Sequence, residues 1–295
     1  MTTATRAFLF ATLATAACLE PDEELELAER SLAVQLPNYT IVTNTVTSTT
    51  NEAETGATCP EGMNVLGGSF AATDSTGAYI HTVVPSVSAP TVTSASWYVQ
   101  TRNSAPRLRA WNLRVTAICA SQPADYRIVT TATDHTTLSQ KQHSIACPAG
   151  SVSTGGGFVL MDIDGNILPG EATYVMPSWD GTSWLVNAKS PTPTPWSLRL
   201  LAVCAAPWAL PGYEVVTNES AYDATWSKEL TTDCPKTKAM TGAGWGVVDS
   251  TNAILEGTSL THEVGAAGQT WLTTATNQSG FSPEWRLQQR ALCVD

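Results

Sequence analysis

An oxygen-rich turn, Asp162-Ile163-Asp164-Gly165-Asn166, is the first stretch of this chain whose residue types and spacing could do chemistry. Its side-chain oxygens alternate around a glycine as at the start of a calcium loop, yet Thr173 stands at the twelfth position, where such a loop needs a Glu. The matching stretches Asp74-Ser75-Thr76-Gly77 and Asp249-Ser250-Thr251-Asn252 carry one acid each, so the spacing predicts hairpin tips. The four histidines, His81, His135, His143 and His262, show no zinc-site spacing. No Gly-x-Ser-x-Gly nucleophile turn occurs. Paired carboxylates for glycoside cleavage would have to come from Asp162, Asp164, Glu171 or Asp180, all in one part of the chain. No catalytic residue, metal ligand or cofactor is assigned, and the expectation is a protein that is not an enzyme.

Tryptophan offers binding rather than catalysis. Of ten, Trp97, Trp184 and Trp271 recur at a fixed interval, and Trp111, Trp196 and Trp285 head three similar segments. Their apolar context predicts core. Trp179, Trp208, Trp226 and Trp245 do not recur in this way. They are the candidate ligand-stacking residues, because an exposed aromatic ring on a rigid scaffold suits a sugar ring or a partner surface.

The elements that must position these residues are repeats. Tyr39, Tyr126 and Tyr213 are 87 residues apart, as are Trp97, Trp184 and Trp271. A period kept to the residue over two intervals marks an internal triplication, with units at 38–121, 122–208 and 209–295. Each unit ends on a segment such as Trp111-x-Leu113-x-Val115-x-Ala117-x-Cys119, whose period of two predicts a half-buried strand. Gln289 interrupts that apolar face in the third unit and requires a partner. About six short strands per unit, with regular turn signals, predict an all-β fold. We expect three tandem β-sandwich-like repeats; the alternative is a single pseudo-threefold, β-prism-like body.

Six cysteines fall two per unit, at Cys59 and Cys119, Cys147 and Cys204, and Cys234 and Cys293. An even set at matching spacing in an exported chain reads as one disulfide per unit. The first cysteine of each pair opens Cys-Pro, followed by a glycine cluster: Gly67 and Gly68, Gly155 to Gly157, Gly242 and Gly244. Proline belongs at a strand's start, and the later glycines would allow close backbone approach or room for a facing Trp.

The chain starts with a basic flank at Arg6 and a short apolar run from Ala7 to Ala17, which predicts a secretory signal over 1–17. An acidic tether follows over 18–37. The net charge of −11 argues against nucleic acid as a partner. Thr15-Ala16-Ala17 before the seventh cysteine, Cys18, resembles the lipobox of bacterial lipoproteins, with Thr15 where that family has an aliphatic residue. The resemblance implies lipidation at Cys18, and contact with the membrane only through that lipid.

The repeated pattern Tyr-x-Val-Val-Thr, Cys-Pro-x-Gly-x-x-Val-x-Gly-Gly-x-Phe, Ser-Trp-x-Val and Trp-x-Leu-x-x-x-Ala-x-Cys resembles tandem modules of exported proteins of soil bacteria. It departs from them at Thr237, where the other units have Gly62 and Gly150. That family implies compartment and modularity, with no assigned reaction. The functional expectation is an exported, lipid-anchored surface display or binding protein of the outer membrane or cell surface, whose partner is a glycan or another surface protein. The alternatives are a carbohydrate-binding protein using exposed Trp, a structural protein of the cell envelope and, for location, a freely secreted form.

Overall fold

The computed structural model describes residues 36–105, 109–235, 237–255, 258–277 and 284–295. The expected signal, Cys18 and the tether as far as residue 35 lie outside the described residues.

Each repeat supplies six strands. Repeat 1 contributes β1 (Thr40–Ser48), β2 (Glu52–Thr58), β3 (Met63–Asp74), β4 (Val83–Pro90), β5 (Ser96–Asn103) and β6 (Trp111–Ser121). Repeat 2 contributes β7 (Arg127–Ala132), β8 (Gln140–Ala146), β9 (Val152–Asp162), β10 (Glu171–Pro177), β11 (Ser183–Lys189) and β12 (Trp196–Ala205). Repeat 3 contributes β13 (Glu214–Glu219), β14 (Ser227–Asp233), β15 (Ala239–Asp249), β16 (Thr258–Val264), β17 (Thr270–Asn277) and β18 (Trp285–Val294).

The strands form three six-stranded sheets, and each sheet is shared by two repeats. Sheet A runs β1-β6-β3-β16-β17-β14, sheet B β2-β5-β4-β9-β12-β7, and sheet C β13-β18-β15-β10-β11-β8. In every repeat the first, sixth and third strands enter one sheet while the fourth, fifth and second enter another. The arrangement is cyclic, and the described residues from Leu36 to Asp295 belong to one compact unit. The all-β fold with three disulfide-bearing repeats is as expected, and of the two expected architectures it is the single pseudo-threefold body.

Disulfides Cys59–Cys119, Cys147–Cys204 and Cys234–Cys293 all form within repeats, each with a Cα–Cα distance of 5.7 Å. A bridge within a repeat argues for a separately closed module only if both cysteines serve one sandwich. Here each bridge joins two sheets: Cys59 follows β2 of sheet B, whereas Cys119 lies on β6 of sheet A.

The glycine clusters explain how three sheets close around one axis. A Cβ on Gly67 would lie 2.3 Å from the Thr241 carbonyl oxygen, one on Gly242 2.5 Å from that of Thr154, and one on Gly155 2.4 Å from that of Leu66. Thus β3, β9 and β15 touch backbone to backbone in a ring, at a distance only glycine permits. The next residues leave room for tryptophan, since a Cβ on Gly68 would meet Trp97 and one on Gly156 would meet Trp184.

Around that axis the three repeated tyrosines fasten neighbours together. The Tyr39 hydroxyl donates to the Met240 carbonyl, Tyr126 to Val65 and Tyr213 to Ser153, each at 2.8 Å. Every tyrosine therefore bonds a different repeat from its own. Leu36, at the end of the expected tether, is buried beside Leu66, Ala205 and Leu210 and donates its N–H to the Asp295 carbonyl at 3.1 Å.

Trp97, Trp111, Trp184, Trp196, Trp271 and Trp285 are core, as their pattern predicts. Gln289 is buried and receives its required partners: its Nε2 donates to the Thr273 hydroxyl at 2.7 Å and to the Trp271 carbonyl at 3.2 Å. His262 on β16 is enclosed by aromatic rings, edge-on to Phe70 at 4.8 Å and stacked on Trp271 at 5.2 Å. Its Nδ1 has no hydrogen-bond partner among the described residues. Burial pushes its pKa down to about 3, because a charged imidazole cannot be solvated there.

Candidate functional site

The tips behave as turns. Asp74 accepts the backbone N–H groups of Thr76 at 2.8 Å and Ala78 at 3.0 Å, and Asp249 accepts those of Thr251 and Ala253 at the same two distances. Asp162 likewise accepts from Asp164 and Asn166 at 2.9 and 2.8 Å. These bonds hold the three carboxyls below their ordinary range, the Thr76, Asn166 and Thr251 side chains being the leading cause in turn. Asp180 is occupied in the same way by Ser178 and Thr182, and Glu171 pairs with Lys189 at 2.8 Å. Among the described residues no group of three or more His, Cys, Asp or Glu could hold a metal ion.

The four candidate stacking residues separate. Trp179, Trp208 and Trp226 are 66%, 75% and 59% exposed, whereas Trp245 is only 2% exposed. Trp245 as a stacking residue is corrected: it stands eleven residues after Cys234, as Phe70 does after Cys59 and Phe158 after Cys147, and fills the same core position. Counting from the cysteine would have found this in the sequence. Trp208 sits in a 3₁₀ turn, Pro207–Ala209, between β12 and β13, and Trp226 leads into β14. Trp179 follows β10, and the Arg290 guanidinium covers its ring at 3.6 Å from the centroid.

Arg290 connects Trp179 to the place where the three copies differ most. Each sheet contains a junction between repeats, held by few residue pairs: Ser88 opposite Phe158 in sheet B, Val175 opposite Trp245 in sheet C, and His262 opposite Phe70 in sheet A. Over the sheet B junction, Val87, Tyr98, Val159, Ile167 and Leu201 pack together, and a cavity of only about 40 Å³ lies beside them. Over the sheet A junction, Tyr79 and Arg114 both bond Glu263.

At the sheet C junction the corresponding positions are Tyr174 for Val87, Leu185 for Tyr98, Gly246 for Val159 and Arg290 for Leu201. The result is a groove of about 680 Å³ lined by Gln140, Gln142, Tyr174, Leu185, Asn187, Val248, Asn252, Ala253, Ile254 and Gln288. Loss of the valine side chain at Gly246 makes room for the Tyr174 ring, since a Cβ there would lie 2.4 Å from its Cδ2. One rung crosses the whole sheet as Gln142, Asn187, Tyr174, Gly246, Gln288 and Glu219, each paired with the next. Arg290 lies two residues along β18 from Gln288, and therefore on the same face.

The groove's polar groups are held from behind. Asn187 Oδ1 accepts from Gln140 Nε2 and from the Thr173 hydroxyl, both at 3.0 Å. Asn252 Oδ1 accepts from the Tyr222 hydroxyl at 3.0 Å and from Arg286 at 2.9 Å. Gln288 Nε2 donates to Glu219 at 3.0 Å. The Tyr174 hydroxyl has a thioether as its partner, Met176 Sδ at 3.4 Å, which is a weak acceptor. Burial raises the Tyr174 pKa, keeping the phenol protonated, and burial likewise lowers that of Arg290. Among the described residues no acid or base lines the groove, and at its border Arg286 is paired with Glu219.

Sequence reasoning does not single these residues out. The available signal was the switch from Val87 and Val159 to Tyr174 and Gly246 when the repeats are superposed. A second cavity, about 540 Å³, lies between repeats 1 and 2 beside Arg102, Glu171 and Lys189. No protein-family model and no curated protein matches this chain.

Proposed function

We propose that the protein is an exported, lipid-anchored binding protein without enzymatic activity, which holds a rigid three-sheet body on an acidic tether and binds its partner at the sheet C groove. The observation that carries this reading is the groove of about 680 Å³ across the sheet C junction, where Tyr174 and Gly246 stand in place of the packed Val87 and Val159 of sheet B. On the outer face of sheet B the equivalent position is covered by apolar packing; leaving it open at sheet C gives up that burial, which a binding site would offset. Three disulfides fit an extracellular or periplasmic setting.

Two measurements test it. Mass spectrometry of the mature protein should find diacylglyceryl on Cys18, and an unmodified peptide starting near Leu19 would reject the anchor. Isolated envelope material should bind the wild type more strongly than Ala253→Trp, which places a ring at the exposed groove rim. Equal binding, or substrate turnover lost with the groove, would reject a binding role at this site.

A further inference from the structure

We infer that the sheet C groove takes an uncharged, extended oligosaccharide lying along the rung from Gln142 to Gln288, with Tyr174 as its stacking platform. This deepens the reading above and rests on it. Three features of the groove select that ligand class.

The first is charge. A chain of net charge −11 nevertheless lines this groove with amides, one phenol and aliphatic groups. Of the charges that adjoin it, Arg286 and Glu219 are paired with each other and Arg290 is stacked on Trp179, so a neutral ligand avoids the desolvation cost that a charged one would meet there.

The second is hydrogen-bonding capacity. Each amide is oriented through one end and presents the other. Asn187 and Asn252 spend their oxygens on protein donors, so their NH₂ groups remain to donate, while Gln288 spends its NH₂ and keeps its oxygen to accept. Gln142 is exposed, and no protein hydrogen bond to its amide is present among the described residues. Mixed donors and acceptors without charge match sugar hydroxyls, each of which can do both. Orientation in advance is what makes such bonds favour binding.

The third is shape. From β8 to β18 the rung spans four strand spacings, roughly 19 Å, the length of a short oligosaccharide rather than of one sugar ring. Tyr174 lies over Gly246 with the Met176 side chain packed beside it, and its half-buried ring can meet the apolar side of a pyranose. An extended peptide fits less well. Such peptides pair along a free strand edge, whereas the rung runs across the strands: β10, β11, β15 and β18 have neighbours on both sides, and only β8, at its Gln142 end, is an edge.

The test uses the intact exported protein and neutral oligosaccharides of four to six residues from the cello, chito, xylo and malto series, with calorimetry as the readout. At least one series should bind. Removing single hydrogen bonds by Gln142→Ala, or by Tyr174→Phe, whose hydroxyl has only the weak Met176 acceptor and is available to a sugar hydroxyl, should weaken it by about two- to tenfold each, and Val92→Ala, on the exposed turn between β4 and β5, should leave it unchanged. Gln142 is exposed and Tyr174→Phe keeps the ring, so both variants should fold, which near-ultraviolet circular dichroism verifies. Absence of binding in every neutral series, or binding that Gln142→Ala and Tyr174→Phe leave intact, overturns the inference. If envelope binding is sensitive to Ala253→Trp while the neutral sugars do not bind, the groove stands as a site and the glycan class fails. If neither responds, both fail.

Discussion

His262 is the residue whose replacement tests the architecture most directly, because it occupies a junction between repeats that is held by only a few backbone pairs. Its counterparts at the other two junctions are Ser88 and Val175. The proposed change is His262→Val, which copies repeat 2. In the folded protein the imidazole is neutral, with its pKa pushed to about 3, whereas in the unfolded chain it titrates near 6.5. Above pH 6.5 neither state takes up a proton at this site, so it adds no pH dependence there. As the pH falls below 6.5 the unfolded chain takes up a proton that the folded protein refuses, and stability is lost at about 1.4 kcal/mol per pH unit until the folded value is approached. At pH 4.5 the loss is therefore about 3 kcal/mol. The result holds for any folded value well below 4.5.

Urea unfolding of both proteins at pH 7.5 and 4.5 measures this directly. At pH 7.5 the two should differ by no more than about 1.5 kcal/mol, since the swap roughly preserves packing. At pH 4.5 the wild type should have lost about 3 kcal/mol more than the variant. The carboxylates of Asp74, Asp162 and Asp249 titrate equally in both proteins and cancel in the comparison. Equal losses would refute the enclosure of His262 by Phe70, Trp245 and Trp271.

Further outcomes follow from the axis, the clamps and the staples. Gly155→Ala should cost about 3 kcal/mol or more by urea unfolding, because its Cβ would sit 2.4 Å from a backbone carbonyl that cannot move aside without disturbing three strands. Gly150→Ala, with a φ of +80° and open space around it, should cost only about 1–2 kcal/mol. Tyr126→Phe removes a 2.8 Å bond between repeats and should lower stability by about 1 kcal/mol without changing the fold. Replacing Cys147 and Cys204 together by Ala opens a bridge of sequence separation 57 and should cost about 4 kcal/mol, read as a lower urea midpoint. Lys141→Met should cost about 1–3 kcal/mol, since the buried ammonium donates to the Asp134 and Trp196 carbonyls and leaves both unpaired when removed.

What could be read from the residues alone was local or periodic. The 87-residue interval reveals three copies, alternation along Trp111–Cys119 reveals a strand with its tryptophan inward, and Asp followed by Gly or Asn reveals the tips. Matching cysteine positions reveal the disulfides. Each of these depends on neighbours in sequence or on one repeat compared with another, so the information lies within a few residues. Trp245 is legible too, through its distance from Cys234, although a tryptophan standing where the other two copies have phenylalanine hides the equivalence.

The tertiary structure alone decided which repeat completes which sheet. The junctions rest on contacts such as Ser88 with Phe158 and Val175 with Trp245, and nothing local in either partner specifies the other. Closure arises instead from three glycine-lined strands meeting backbone to backbone, a condition that no single strand can express. The groove has the same origin. Tyr174 comes from repeat 2 and Gly246 from repeat 3, and only their pairing across the junction turns a missing side chain in one copy into a site for the ring of another.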